Sequence, residues 1–328
     1  MTSTREPPTR LASGPFPILA ENIAELNDVF STAFTERYRR DGMVGVRVPS
    51  LNPVIWRYAI EDATDGGEAM LWRGARDDIV AFNVVHRSGV EGWMGPLAVR
   101  PDWQGGDLGK EIVRSGTRLL ATRGARVIGL ETMPRTMDNI GFYSRLGFIP
   151  GRLTITLTID AHEASAAGRK LRTLGALSAT AREDAVEAAR SLTHALIPGY
   201  DFTREMRLTH ELSVGDTLVL EEGGRIVGFA VFHTAPLVDG RPREELRVLK
   251  LVLDDETRIE SLADGLADVA RRSGARRVAI RMQGEYIEAY RRLIALGARV
   301  RWTDLRMYVS DYEETRAAHG IVLSNWEI

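Results

Sequence analysis

Two kinds of apolar spacing alternate along the chain, and they do so in the same order twice. Ile23, Leu26, Phe30, Ala33 and Phe34 fall at helical intervals, and their helix should stop near Asp41-Gly42. Asn52-Pro53 reads as an N-cap followed by proline in the first turn, opening a second helix through Tyr58 and Ile60. Residues 69–72 and 79–86 flank Ala75-Arg76-Asp77-Asp78 and predict a β-hairpin. A strand over 93–100, a glycine-rich turn and a helix to Arg123 follow, then a strand over 127–132, a helix over 136–145 and a strand over 153–159. In the second half, Thr180-Ala181-Arg182-Glu183 predicts a capped helix start for Val186, Leu192 and Leu196. A hairpin of 218–221 with 225–232 turns at Gly223-Gly224; strand 248–253, helix 259–272, strand 277–282, helix 286–295 and strand 299–309 complete the order.

The residues repeat as well as the pattern. Ile79-Val80-Ala81-Phe82-Asn83-Val84-Val85-His86 returns 147 positions later as Ile226-Val227-Gly228-Phe229-Ala230-Val231-Phe232-His233. Gly124-Ala125-Arg126 and Leu146-Gly147 return 150 positions later as Gly274-Ala275-Arg276 and Leu296-Gly297. A period of domain size means a duplication, not a solenoid. The expected organisation is an α/β (mixed α+β) domain over 1–160, a linker over 161–174 rich in Ala, Gly and charge, and a second copy over 175–328.

A length of 328 residues suits two domains with separate cores. The formal net charge of −2 gives no general pull towards nucleic acid or a membrane surface, so neither is expected as a partner. All but three of the 43 basic residues are arginine, which a coding bias explains without forty phosphate clamps. With no cysteine there is no disulfide, thiolate metal site or cysteine nucleophile, and the six histidines lack ligand spacing, so no metal is expected. The polar, proline-rich start contains no signal-type apolar run, and no stretch is apolar enough to span a bilayer. A cytoplasmic protein with a loose arm over 1–15 is the expectation.

Candidate chemistry concentrates in one turn. Leu97-Ala98-Val99-Arg100-Pro101-Asp102-Trp103-Gln104-Gly105-Gly106-Asp107-Leu108-Gly109-Lys110 leads from strand to helix and leaves backbone N–H groups open at a helix N-terminus, where an anion is favoured. A Walker P-loop would need Gly at 104 and Ser or Thr at 111, where the chain has Gln and Glu. The dinucleotide fingerprint fails on the spacing of Gly105, Gly106 and Gly109.

Leu97, Val99, Pro101, Trp103, Gln104 and Gly109 match position by position a turn of the GNAT superfamily of N-acyltransferases, which this segment resembles. The run from Asn139 through Tyr143-Ser144-Arg145-Leu146-Gly147-Phe148 resembles the second signature of that family, a helix ending in Tyr-x-x-x-Gly-Phe. The resemblance is clear over 95–151 and extends weakly, through the repeat, to most of the chain. It implies two tandem domains, each with a mixed, mostly antiparallel central sheet flanked by helices. One departure stands out: Asp107 occupies the usual place of the first glycine. A carboxylate about 6 Å from a phosphate costs up to roughly 3 kcal/mol at an effective dielectric of 20, unless it points to solvent.

The resemblance implies that Leu97, Ala98 and Val99 offer backbone groups to the pantetheine of acetyl-CoA, while Gln104, Gly105, Gly106, Asp107, Leu108, Gly109 and Lys110 hold its pyrophosphate. Asn139 and Tyr143 lie four apart on one helix and share a face. Tyr143 keeps its proton at neutral pH and is the candidate general acid for the departing thiolate. A primary amine must lose a proton before it attacks; Glu131 is the first candidate base and Glu91 the second. The second copy has Asp254-Asp255-Glu256-Thr257-Arg258 at the turn and Leu293 at the tyrosine position, so it reads as degenerate, structural or acceptor-shaping. His86 and His233, sharing a hairpin position with a degenerate copy, predict a shared structural role.

The implied function is transfer of an acetyl group to a small-molecule primary amine, in a monomer with internal pseudo-dimer character or in a homodimer. A non-catalytic acyl-CoA-binding or regulatory protein is the alternative from another class. Acylation of an amino-sugar thiol precursor, as by the two-domain mycothiol synthase, is a narrower variant. The tail Asn325-Trp326-Glu327-Ile328 could dock across a domain.

Overall fold

The computed structural model describes residues 11–64, 67–163 and 170–327. The first copy runs β1 (Ser13–Pro17), α1 (Ile23–Arg40), α2 (Pro53–Thr64), β2 (Glu68–Arg73), β3 (Ile79–Ser88), β4 (Glu91–Val99), α3 (Leu108–Thr122), β5 (Val127–Thr132), α4 (Met137–Ser144) and β6 (Phe148–Asp160). The second runs β7 (Lys170–Thr173), α5 (Ala179–Leu196), α6 (Thr203–Glu211), β8 (Gly215–Glu222), β9 (Arg225–His233), β10 (Glu245–Leu253), α7 (Ile259–Ser273), β11 (Arg277–Gln283), α8 (Ile287–Ala295) and β12 (Arg299–Val309). The two series match element for element, as the repeat requires. A last strand, β13 (Ile321–Ser324), has no counterpart in the first copy.

Local expectations hold with small shifts. Arg40 ends α1, and Asn52 caps α2 by accepting from the Val54 N–H at 3.1 Å. The cap of α5 is Ser178, which accepts from Ala181 N at 3.4 Å, not the box starting at Thr180. The expected linker contains β7, which pairs with β8 and opens the second copy; residues 164–169 lie outside the described part. The expected arm ends in β1, paired with β2, and its residues 1–10 also lie outside. Helix α6 is an addition to the expected order, and its first N–H, at Thr203, donates to the Asp201 carboxylate at 2.9 Å.

The larger difference is the connection between copies. One sheet runs through both, in the order β1-β2-β3-β4-β5-β12-β6-β11-β10-β9-β8-β7. The strand that closes the second copy, β12, lies between β5 and β6 of the first, and β6 in turn pairs with β11 of the second. Each copy donates its closing strand to the other, so they are not independent domains on a linker. Period-two patterning defines a strand and its faces but carries no partner, so the exchange was invisible locally.

Helices cover both faces. In the first copy α3 and α4 pack on β3 to β5 around Ile112, Leu120, Leu130 and Tyr143. The other face buries Leu26, Trp56 and Phe82 under α1 and α2. In the second copy α7 and α8 seal a core with Leu262, Leu266 and Leu293. Trp326 joins Trp93 and Val127 of the first copy in a core with Phe229 and Val252 of the second, so the tail does dock across the copies.

The paired histidines sit at this junction. His86 Nδ1 lies 2.5 Å from the Asp62 carboxylate, its Nε2 is 3.0 Å from Gly95 O, and its ring stacks on Trp93. His233 packs edge-on against Tyr58, and burial holds it neutral, well below the usual imidazole range. Both are fixed in packed interiors. Lys250 is also buried there, donating to Ser324 Oγ at 2.7 Å with Glu91 and Glu205 within 4 Å.

Candidate active site

The site begins where two parallel strands part. β4 and β5 pair in register only from Glu91↔Val127 to Met94↔Leu130, and beyond that β4 diverges. On its other side β4 carries one extra residue against β3 between Leu97 and Met94, a bulge that contains Pro96. A bulge re-aims a strand, and proline removes a ladder donor, so the divergence is written into Gly95-Pro96. Arg100 N donates to Val80 O on β3. By alternation, the backbone groups of Leu97 and Val99 face away from β3, into the opening.

Two cavities meet at this opening. One, of about 650 Å³, runs from Leu97, Ala98 and Val99 along the turn 104–110 to α4. The other, of about 360 Å³, lies between α1, the end of β5 and the exchanged strand β12. Leu97, Asn139 and Tyr143 line both. Asn139 and Tyr143 do share one helix face, and the structure brings them together with the turn. Burial raises the Tyr143 hydroxyl to about 12, with no charged neighbour contributing, so it stays protonated at neutral pH.

The turn is open on its glycine side. Gly105 has φ +88, a conformation costly for any side chain, and a Cβ there or at Gly106 would meet nothing within 4 Å. Gln104 closes the turn by donating to Val99 O at 2.8 Å, which occupies one of the carbonyls expected to be free. Leu108 is buried at the start of α3, so it offers backbone only. Asp107, at the edge of the larger cavity, is largely exposed and pairs with Lys110 Nζ at 2.8 Å, which lowers its pKa. Arg40 and Arg145 also line the larger cavity. Sequence spacing gave no hint of these two, since one comes from α1 and the other from just past α4.

The two candidate bases fare differently from expectation. Glu131 lines the smaller cavity but is locked to Arg281 at 2.5 Å and Arg306 Nε at 2.9 Å, and accepts from Thr154 Oγ1 at 2.7 Å. Burial pushes its pKa up, but the two guanidiniums outweigh burial and hold it at about 2. A carboxylate that weak as a base is ill suited to take an amine's proton; Glu131 is an anchor for the exchanged strands. Glu91 accepts from Ser324 Oγ at 2.5 Å and Trp326 Nε1 at 2.9 Å, lies fully buried, and lines neither cavity. Both candidates serve the junction between copies.

The second copy has the same opening, but it is filled. β10 and β11 pair only through Arg247↔Ala279, and β13 then pairs with β10 from Lys250↔Ser324 to Leu253↔Ile321. Tyr286 OH donates to Val322 O at 3.2 Å and holds the plug in place. At its turn, Arg258 pairs with Asp254 and Glu222 at 3.1 and 2.9 Å, and Leu293 is buried where the first copy has Tyr143. Chain, not charge alone, closes this site. Among the described residues no group of His, Asp and Glu could hold a metal ion, and no helix is long and apolar enough to cross a membrane.

Residues 31–148 match the acetyltransferase (GNAT) family. No protein with a curated description matches the sequence. Among solved structures, a tandem GNAT protein from the clavulanic acid biosynthesis pathway is similar over 93% of this chain and 100% of its own, at 13% identity and TM-score 0.61. A GCN5-related N-acetyltransferase from Sphaerobacter thermophilus is similar over 95% and 99%, at 16% identity and TM-score 0.60. Saccharomyces cerevisiae N-myristoyltransferase, solved with myristoyl-CoA, is similar over 98% and 86%, at 11% identity and TM-score 0.63. At such identities these are likenesses of fold.

Proposed function

We propose that the first copy, whose residues 31–148 match the acetyltransferase (GNAT) family, transfers an acetyl group from acetyl-CoA to a small-molecule primary amine by direct attack. The observation that carries this reading is the meeting of two cavities at Leu97 and Tyr143. The longer one is the donor groove and the smaller one the acceptor site. The backbone of Leu97 and the N–H of Val99, whose carbonyl Gln104 occupies, would bind the pantetheine arm, with the N–H of Leu97 donating to the thioester oxygen. The turn 104–110 would cradle the pyrophosphate, with Arg145 and Lys110 at its rim. Asn139 orients the helix end, and Tyr143 donates the proton that the thiolate needs on leaving.

One CoA should bind per chain, since β13 occupies the second opening. Isothermal titration that counted two equal sites would contradict this assignment. Asp107→Asn should change CoA affinity by no more than about threefold, because the charge of an exposed, lysine-paired carboxylate is largely screened. A tenfold gain in the same titration would mean that the carboxylate faces the phosphates instead.

A further inference from the structure

On the acyl-transfer reading, the residue that receives the amine's proton remains to be found, and the exchanged strand offers one. We propose that Asp304 of β12, from the second copy, is the general base of the first copy's site, and that the acceptor is a cationic primary amine on an apolar stem. Leu305 pairs with Thr132 and Arg306 with Glu131. Asp304 therefore stands one step past the end of β5, on the same face as Arg306. That step lies beyond the last β4–β5 pair at Leu130, at the mouth of the opening. Asp304 lines the acceptor cavity together with Tyr143.

The surroundings leave it short of positive charge. Asp304 accepts from Trp302 Nε1 at 3.2 Å and lies 3.0 Å from Arg281 Nη1. The same guanidinium pairs with Glu131 at 2.5 Å and Glu327 at 2.8 Å. Arg306 shares Glu131 but is itself committed to Glu314. From α1, Tyr38 adds no positive charge, and Arg37, which lines the same cavity, is paired with Asp41 and with Asp138 at 3.7 Å. An alkylammonium entering here supplies the missing cation. Burial first, then Glu327, raise Asp304 to about 7, against the pull of Arg281, so it is a far stronger base than Glu131. Phe34, Leu237, Trp302 and Trp326 form the apolar remainder of the cavity and fit a hydrocarbon or aromatic stem.

The step balances. Asp304 takes one proton from the ammonium, and the freed nitrogen lone pair forms the C–N bond at the thioester carbon. The C–S bond breaks, the thiolate takes the Tyr143 proton, and the phenolate recovers the second proton from nitrogen. The products are the amide, CoA thiol and a protonated Asp304, which returns its proton to solvent.

The test uses the full chain, acetyl-CoA and a panel of arylalkyl primary amines, with Asp304→Asn and Asp304→Glu. For the wild type, kcat/KM should fall as pH drops below about 7, and Asp304→Asn should lose about 10²-fold at neutral pH. The loss should shrink towards about pH 10, where the amine arrives uncharged, while the KM for acetyl-CoA stays put. Asp304→Glu should restore part of the rate. Full neutral-pH turnover by Asp304→Asn, with the acid limb retained, would overturn the assignment. A second readout needs no turnover: in a ¹³C carboxyl titration, the resonance missing from Asp304→Asn should titrate near 7. Titration near 4, the ordinary Asp value, would overturn the assignment as well. If that resonance behaves as expected while no amine is acetylated, the acyl-transfer reading fails and the assignment of a strong base at Asp304 survives.

Discussion

Tyr143→Phe should lower kcat by on the order of 10²–10⁴ and leave acyl-CoA affinity nearly unchanged. The substitution removes one hydroxyl and keeps a ring that is only 8% exposed, packed near Phe142 and Phe148. Burial raises the hydroxyl to about 12, so it is always available as a donor at neutral pH. By itself it is a weaker acid than a thiol, whose reference value is about 8.5. On the proposed reading the transfer is coupled: the nitrogen of the tetrahedral adduct is strongly acidic and would restore the proton as the thiolate removes it. The interaction develops in the transition state, so the KM for acetyl-CoA should move less than kcat. The corresponding change in the second copy, Leu293→Ala, should cost about 2–5 kcal/mol through a cavity and leave the chemistry of folded enzyme alone. Full turnover by Tyr143→Phe with a confirmed substrate would remove the general-acid assignment.

Arg306→Leu should destabilise the protein by about 3–5 kcal/mol in urea denaturation at neutral pH, the usual cost of breaking a buried ion pair from one side. Arg306 is 1% exposed and holds Glu131, Glu314 and the Ser324 carbonyl, with its guanidinium over the Trp326 ring at 4.1 Å. It thus joins β12, β5 and the tail that plugs the second opening. The pH dependence has a definite sign. The folded Glu131 sits at about 2, below its reference of 4.5, so its stabilisation is complete above about pH 4.5 and is lost as pH falls through about 2. The shift corresponds to about 3 kcal/mol. Asp304 and Glu314 are raised by burial and act in the opposite direction, costing stability as pH rises through their folded values. Glu131→Gln should therefore abolish a distinct part of the loss between about pH 4.5 and 2. An unchanged acid limb in that variant would show that Glu131 carries none of it.

The half of the site proposed to hold the donor was readable because its residues are local. The turn 104–110, the strand before it, and the helical spacing of Asn139 and Tyr143 all lie within one stretch, where periodicity and glycine placement speak directly. The duplication was readable for the same reason. The smaller cavity, the proposed acceptor half, was not. Its walls come from α1, the end of β5, the exchanged β12 and the tail, brought together by a strand exchange that neither hydrophobic pattern encodes. Glu131 looked available on its strand because Arg281 and Arg306 lie 150 and 175 residues away. Asp304 looked like part of a degenerate copy's last strand. Residue type suggested the second site was inactive, but the observed cause, β13 paired along β10, is a long-range event.

The most direct test follows from composition. Because the chain has no cysteine, a thiol reagent added to protein and acetyl-CoA reports only CoA released by chemistry. With a panel of cationic primary amines, thiol release should depend on the amine and match acetylated product one for one. Absence of release across the panel, from protein that still binds one CoA per chain, would contradict the account and leave a site that only binds.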